Sequence, residues 1–142
     1  MRDDMGLFRG KRLDNGEWVY GNFLLKADGD PLLQITYSCI FDRQAVPVYP
    51  ETVGEYTGLY DGKMIDSQEK RAEHGHKIFE GDILKTLWGS DSLYKVIHGN
   101  GMFMAESLSG VGTVPLAQIL DDTTTEVIGN IHDNPEMEKG DK

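Results

Sequence analysis

The chain has 142 residues, 39% of them hydrophobic and 9% aromatic, which fits one domain or two very small ones sharing a core. Its formal charge of −10 sets it against phosphate backbones, because nucleic-acid affinity comes largely from lysine and arginine neutralising phosphates. A single cysteine, Cys39, excludes an intrachain disulfide, and Met1-Arg2-Asp3-Asp4 lacks the apolar core of a signal peptide, so a reducing cytoplasm is the expected compartment.

Leu7 to Leu13 and Glu17 to Leu25 flank Asp14-Asn15-Gly16. Asn-Gly supplies the positive φ angles of a tight turn, so these segments predict a hairpin with Trp18 and Tyr20 on its packed side. Ala27-Asp28-Gly29-Asp30-Pro31 turns the chain into a third, largely buried strand over Leu32 to Phe41, where Cys39 reads as an inert buried thiol. Pro47 and Pro50 make Asp42 to Glu51 an extended connection rather than a central strand. Thr52 to Leu59 is a short strand, and Asp61-Gly62 is a turn.

One helix is predicted, over Asp66 to Gly75. Asp66 caps its first turn, Glu69 stands at the reciprocal capping position and Gly75 ends it. Apart from Ala72 it is polar all round, which places it on the surface. Strands follow over Asp82 to Trp88, Ser92 to His98, Met102 to Ser107 and Thr113 to Val114. Pro115 to Leu120 reads as one helical turn and Thr124 to Ile131 as the last strand.

Short strands, glycine turns and a helical turn before the last strand predict a small barrel. The fold class is therefore mainly β. An SH3-like small β-barrel is expected over about 77–132, with an N-terminal β-hairpin part over about 6–60 and one short inserted surface helix. All of this lies in a single domain over 1–135, followed by a flexible acidic tail at 136–142; from Asp121 onward the chain carries −5. The longest charge-free run, Ser107 to Leu120, is broken by Gly110, Gly112 and Pro115 and is too short to cross a bilayer.

Five segments carry a family resemblance. They are Phe8-Arg9-Gly10-Lys11-Arg12 with Glu17-Trp18-Val19-Tyr20-Gly21, Tyr56-Thr57-Gly58-Leu59, Phe79-Glu80-Gly81-Asp82-Ile83, Val127-Ile128-Gly129-Asn130-Ile131 and Asn134-Pro135-Glu136. In this order, across nearly the whole chain, they resemble the YopX family of bacteriophage and prophage proteins. The resemblance implies a mainly β fold, a phage or prophage origin and an oligomer, and it supplies no established activity. About ten residues, roughly Met64 to His76, depart from the family pattern and include the predicted helix.

No nucleophile stands beside a base, and no phosphate loop is present, so no catalytic, cofactor or metal residue is assigned. His74-Gly75-His76, with Glu73 and Asp66 nearby, is the best metal candidate. Histidines one apart share a face only on a strand, and a helix end at Gly75 would splay their rings, so a solvated loop is the plainer reading. His98 and His132 would join them only through the fold. Glu80-Gly81-Asp82 reads as a turn in which Asp82 accepts backbone N–H bonds, rather than as a paired acid and base. Gly99-Asn100-Gly101 and Gly110-Val111-Gly112 read as turns. Trp18, Tyr20, Tyr37, Tyr49, Tyr56, Phe79 and Trp88 suit core or interface packing better than base stacking in so acidic a chain.

The expected function is that of a non-enzymatic, protein-binding or self-associating accessory protein, a homo-oligomer or a binder of a host or phage protein, with no membrane and no nucleic acid. Two rivals stand beside it. One is an acidic decoy for a host nucleic-acid-binding protein. The other is a metal-dependent hydrolase using His74 and His76. The basic cluster Arg9, Lys11 and Arg12 keeps a weaker nucleic-acid reading open.

Overall fold

A computed structural model describes residues 7–25, 31–36, 43–62, 68–86, 92–99, 101–110, 112–120 and 125–138. The chain divides into two compact units, Met1–Tyr56 and Thr57–Lys142. Cys39, Tyr37, Asp66 and Trp88 lie outside the described residues, as do the final four positions. Among the described residues no helix is long and apolar enough to cross a membrane.

In the first unit, β1 (Phe8–Lys11) and β2 (Trp18–Leu25) form the expected hairpin, with Lys11 opposite Trp18 and Arg9 opposite Tyr20. Asn15 shapes the turn by accepting the Glu17 N–H through its side-chain oxygen. Antiparallel β3 (Pro31–Thr36) pairs with β2, and β4 (Arg43–Pro47) pairs with β3. The segment expected to be a mere connection is thus a strand. Pro47 stands at its last residue, where a missing N–H removes little from a ladder.

A 3-10 turn (Pro50–Thr52) then leads into β5 (Gly54–Tyr60), whose first residues pair with β1. Past β4, Val48 makes an isolated bridge with Arg12. Leu13 donates its N–H to the Pro47 carbonyl at 3.1 Å, and Tyr49 donates to Lys11 at 2.8 Å. The free edge of β1 is therefore shared between β5 and the end of β4, which curls this sheet inward. Val46, Val48 and Tyr56 are buried in this unit, with Thr52 among them. Gly10 makes the curl possible, because a Cβ there would stand 3.2–3.3 Å from three Val48 side-chain atoms.

In the second unit, α1 (Gln68–His74) precedes β6 (Lys77–Phe79), which lies beside β5. An antiparallel sheet follows from β7 (Asp82–Thr86), β8 (Ser92–Gly99), β9 (Met102–Ser107), β10 (Thr113–Pro115) and β11 (Glu126–Asn130), in the order β10-β9-β8-β7-β11. The closed barrel expected over 77–132 is not formed. Among the described residues β10 and β11 are the two edges of an open sheet, and no ladder joins them. A three-residue β10 ending in Pro115 offers little to pair with, and β11 is broken by a bulge between Val127 and Gly129.

One face of this sheet carries the core. Leu84, Val96 and Ala105 lie under Leu116 and Leu120 of α2 (Leu116–Leu120), a residue pair four apart on one helical face, with Ile78 completing the cluster. The helical turn after Pro115 is thus the lid of the core. Past Asn134, α3 (Pro135–Glu138) forms a further helical turn, and Lys95 reaches Glu138 at 2.6 Å and Glu106 at 3.6 Å.

Candidate functional site

Strand alternation in the first unit separates two faces. Phe8, Gly10 and Val48 take the inner side, where Gly10 is buried and Val48 is 1% exposed. Arg9, Lys11 and Leu13 take the outer side, opposite Tyr20, Trp18 and Pro47 in turn. The bridge at Arg12 and Val48 sets Tyr49 opposite Lys11 from the other flank. Trp18, Lys11 and Tyr49 therefore form one row across β2, β1 and the segment just past β4, with Leu13 and Pro47 next to it on one side and Arg9 and Tyr20 on the other.

This face is only partly covered. Tyr20 is 48% exposed, Leu13 48% and Tyr49 40%. The hairpin's aromatic side, expected to be packed, is turned outward, because the inner side is already filled where Gly10 admits Val48. The Arg9 guanidinium lies over the Trp18 ring at 4.6 Å from its centroid, and the Lys11 ammonium lies 5.3 Å from it. Each contact contributes about 0.5–2 kcal/mol, the larger figure where the cation has lost its water. Arg9 is only 6% exposed, so it holds the ring in place from below the surface.

Arg12 is committed elsewhere. Its Nε and Nη2 donate to the two carboxylate oxygens of Asp14 at 2.9 and 2.8 Å, and that hydrogen bond holds the Asp14 carboxyl below the usual carboxylate range. The basic cluster of the sequence is thus three residues in three different roles.

In the second unit the titratable groups are arranged as a clasp. Asp61, 2% exposed, accepts the His76 N–H with Oδ1 and the Val127 N–H with Oδ2, both at 2.6 Å. Its own N–H donates to the His76 carbonyl, and Gly62 donates to Thr125. A carboxylate with two backbone donors joins the end of β5, the segment after α1 and the start of β11. The His76 ring, 77% exposed, stands with Nδ1 3.3 Å from Asp61 Oδ1. Arg71 of α1, expected on a solvated face, is buried and donates to the Leu120 carbonyl at 2.8 Å.

Gly75 is needed for close approach, since a Cβ there would fall 1.8 Å from the Asp61 carbonyl oxygen. It ends α1 as expected, with its N–H on the Arg71 carbonyl.

Of the histidine pair, His76 leans on Asp61, and the His74 side chain lies outside what is described. No group of three or more His, Cys, Asp or Glu stands together among the described residues. His98 packs edge-on against Phe103 at 4.9 Å. Asp82 accepts the Phe79 N–H at 2.8 Å, the turn-fixing role expected of it, while Gly81 donates to Val96 and accepts from Ile131.

Sequence reasoning missed the Asp61 clasp, because its partners lie 15 and 66 residues away. It also missed the outward row, although the alternation Val46-Pro47-Val48-Tyr49 already carried that signal. A family model described as YopX protein matches residues 7–138. No curated protein matches the sequence.

Proposed function

The chain belongs to the YopX family, and from that premise we propose that it is a phage- or prophage-encoded accessory protein of the bacterial cytoplasm that binds protein, either a partner or its own copies, without catalysing a reaction. The Trp18–Lys11–Tyr49 row carries this reading. Tryptophan, tyrosine and arginine are the residues that dominate protein interfaces, and here they occupy one partly exposed face on a rigid ladder.

A nucleic-acid groove needs several accessible cations tracking the phosphates. Arg9 on this face is buried, and neighbouring Arg12, which alternates to the other side, is forked onto Asp14, which favours a protein partner. We also read the order of the second sheet, with a helical turn between its last two strands in sequence, as related to SH3-like barrels. That is a statement about fold and brings no function with it.

Affinity capture from host lysate with the wild type and with Lys11→Glu, alongside light scattering on each pure protein, tests the proposal. The wild type retains a stoichiometric partner or a mass above the monomer, and Lys11→Glu loses it while staying folded, with a melting temperature lowered by no more than the few degrees that loss of the Trp18 contact costs. A monomer that retains nothing would refute the proposal.

A further inference from the structure

Building on that protein-binding reading, we propose that the Trp18–Lys11–Tyr49 row docks an extended, acidic, proline-bearing protein segment in the polyproline II conformation. Three observations point to this ligand. The first is spacing. Trp18 on β2 and Tyr49, just past the end of β4, stand on the two flanks of Lys11, two strand spacings apart, which is about 9–10 Å. A polyproline II segment rises about 3.1 Å per residue with three residues per turn, so residues i and i+3 face the same way about 9.3 Å apart. An extended strand repeats its same-face residues at about 6.6 Å and an α-helix at about 5.4 Å per turn, and neither matches the two aromatic positions.

The second observation is charge. Lys11 stands between the two aromatic positions, its ammonium 5.3 Å from the Trp18 centroid. A carboxylate carried between the two anchors meets it there, beside the Trp18 ring. Buried Arg9 behind the Trp18 ring adds positive charge of the same sign. The chain's net charge of −10 acts at longer range, and physiological salt screens it within about 8 Å.

The third is the direction of approach. The row runs across the strands over a sheet face, so the ligand docks by its side chains and needs no backbone ladder. Proline, which has no N–H to donate, loses nothing in that mode, and its flat ring packs well on an aromatic face. Leu13 and Pro47, immediately beside the row, extend the apolar floor.

Isothermal titration of the full chain tests this with four probes. They are a blocked peptide of Pro-Glu-Glu-Pro repeats, the same peptide with Gln for Glu, the same with Lys for Glu, and a ten-nucleotide oligothymidine. The Glu peptide is expected to bind, the Gln peptide about tenfold more weakly and the Lys peptide not at all. Lys11→Glu, with its fold checked by circular dichroism, should lose the Glu peptide and gain the Lys peptide.

Absence of binding by the Glu peptide, or equal binding by wild type and Lys11→Glu, overturns the proposal. If the peptides fail while Lys11-dependent capture or self-association persists, only this ligand chemistry falls. If oligothymidine alone binds, and does so through Lys11, the protein-binding reading falls with it.

Discussion

The two units treat the same kinds of residue in different ways. In the second, apolar side chains from β7, β8 and β9 face one way under α2, and its buried carboxylates, Asp61 and Asp82, accept backbone N–H groups. In the first, a glycine and two valines fill the inner side of a curled sheet, and tryptophan, tyrosine and two cations are left on the outer one. Aromatic rings on a partly exposed face, held by buried Arg9, are what the proposed protein contact would use. Carboxylates sealed under backbone donors are arranged for folding rather than for chemistry. The contrast separates a partly exposed aromatic face, the proposed binding face, from a sealed scaffold.

Substitutions in the scaffold should have the largest effects. Gly75→Ala drives a Cβ into the Asp61 carbonyl, where backbone must move, and should cost about 4 kcal/mol or more in urea unfolding. A cost under about 1 kcal/mol would show that the clasp is loose. Asp61→Ala leaves the buried donors of His76 and Val127 without their acceptor and should cost about 3 kcal/mol by the same measurement. Leu84→Ala, at a fully buried core position, belongs in the same range.

The curled sheet should respond less. Gly10→Ala should cost about 1–2 kcal/mol through its contact with Val48, and much less when Val48→Ala is already present. A double-mutant cycle measures that coupling, and strict additivity would mean that the two residues do not meet.

Surface ion pairs come last. Lys95→Met should cost under about 1 kcal/mol. The hydrogen bond that Lys95 donates to Glu138 raises the Lys95 pKa, so this pair's contribution is fully present below the ordinary lysine value and is lost as pH rises through the raised one. The lowered Asp14 carboxyl has the opposite sign. Its pairing with Arg12 contributes above the usual carboxylate range and is lost as pH falls through the lowered value. Thermal melts at alkaline and acidic pH of Lys95→Met and Asp14→Asn against the wild type check both signs.

Local chemistry was legible in the sequence, and closure was not. The Asn-Gly turn, the helix ending at Gly75, the helical turn after Pro115 and the turn-fixing Asp82 all follow from residues within a few positions of each other. Which sheet curls depends on contacts distant in sequence. Gly10 admits Val48 across 38 positions, an absence of side chain that no periodicity reveals. The expected barrel in the second unit fails for a comparable reason, because short β10, ending in Pro115, and bulged β11 do not pair. Arg71 looked solvated because its acceptor, the Leu120 carbonyl, lies 49 residues on. The exposed row could be read only after register had set Tyr49 opposite Lys11.

The most direct test of the division between binding face and scaffold is a side-by-side capture experiment. Wild type, Lys11→Glu and Lys95→Met would be immobilised at equal density and the affinity for the retained partner measured for each, with melting temperatures recorded in parallel. Lys11→Glu should weaken binding at least about tenfold while remaining folded, its melting temperature lowered only by the few degrees that loss of the Trp18 contact costs, and Lys95→Met should bind as the wild type does. Equal affinity for the wild type and Lys11→Glu would contradict the account.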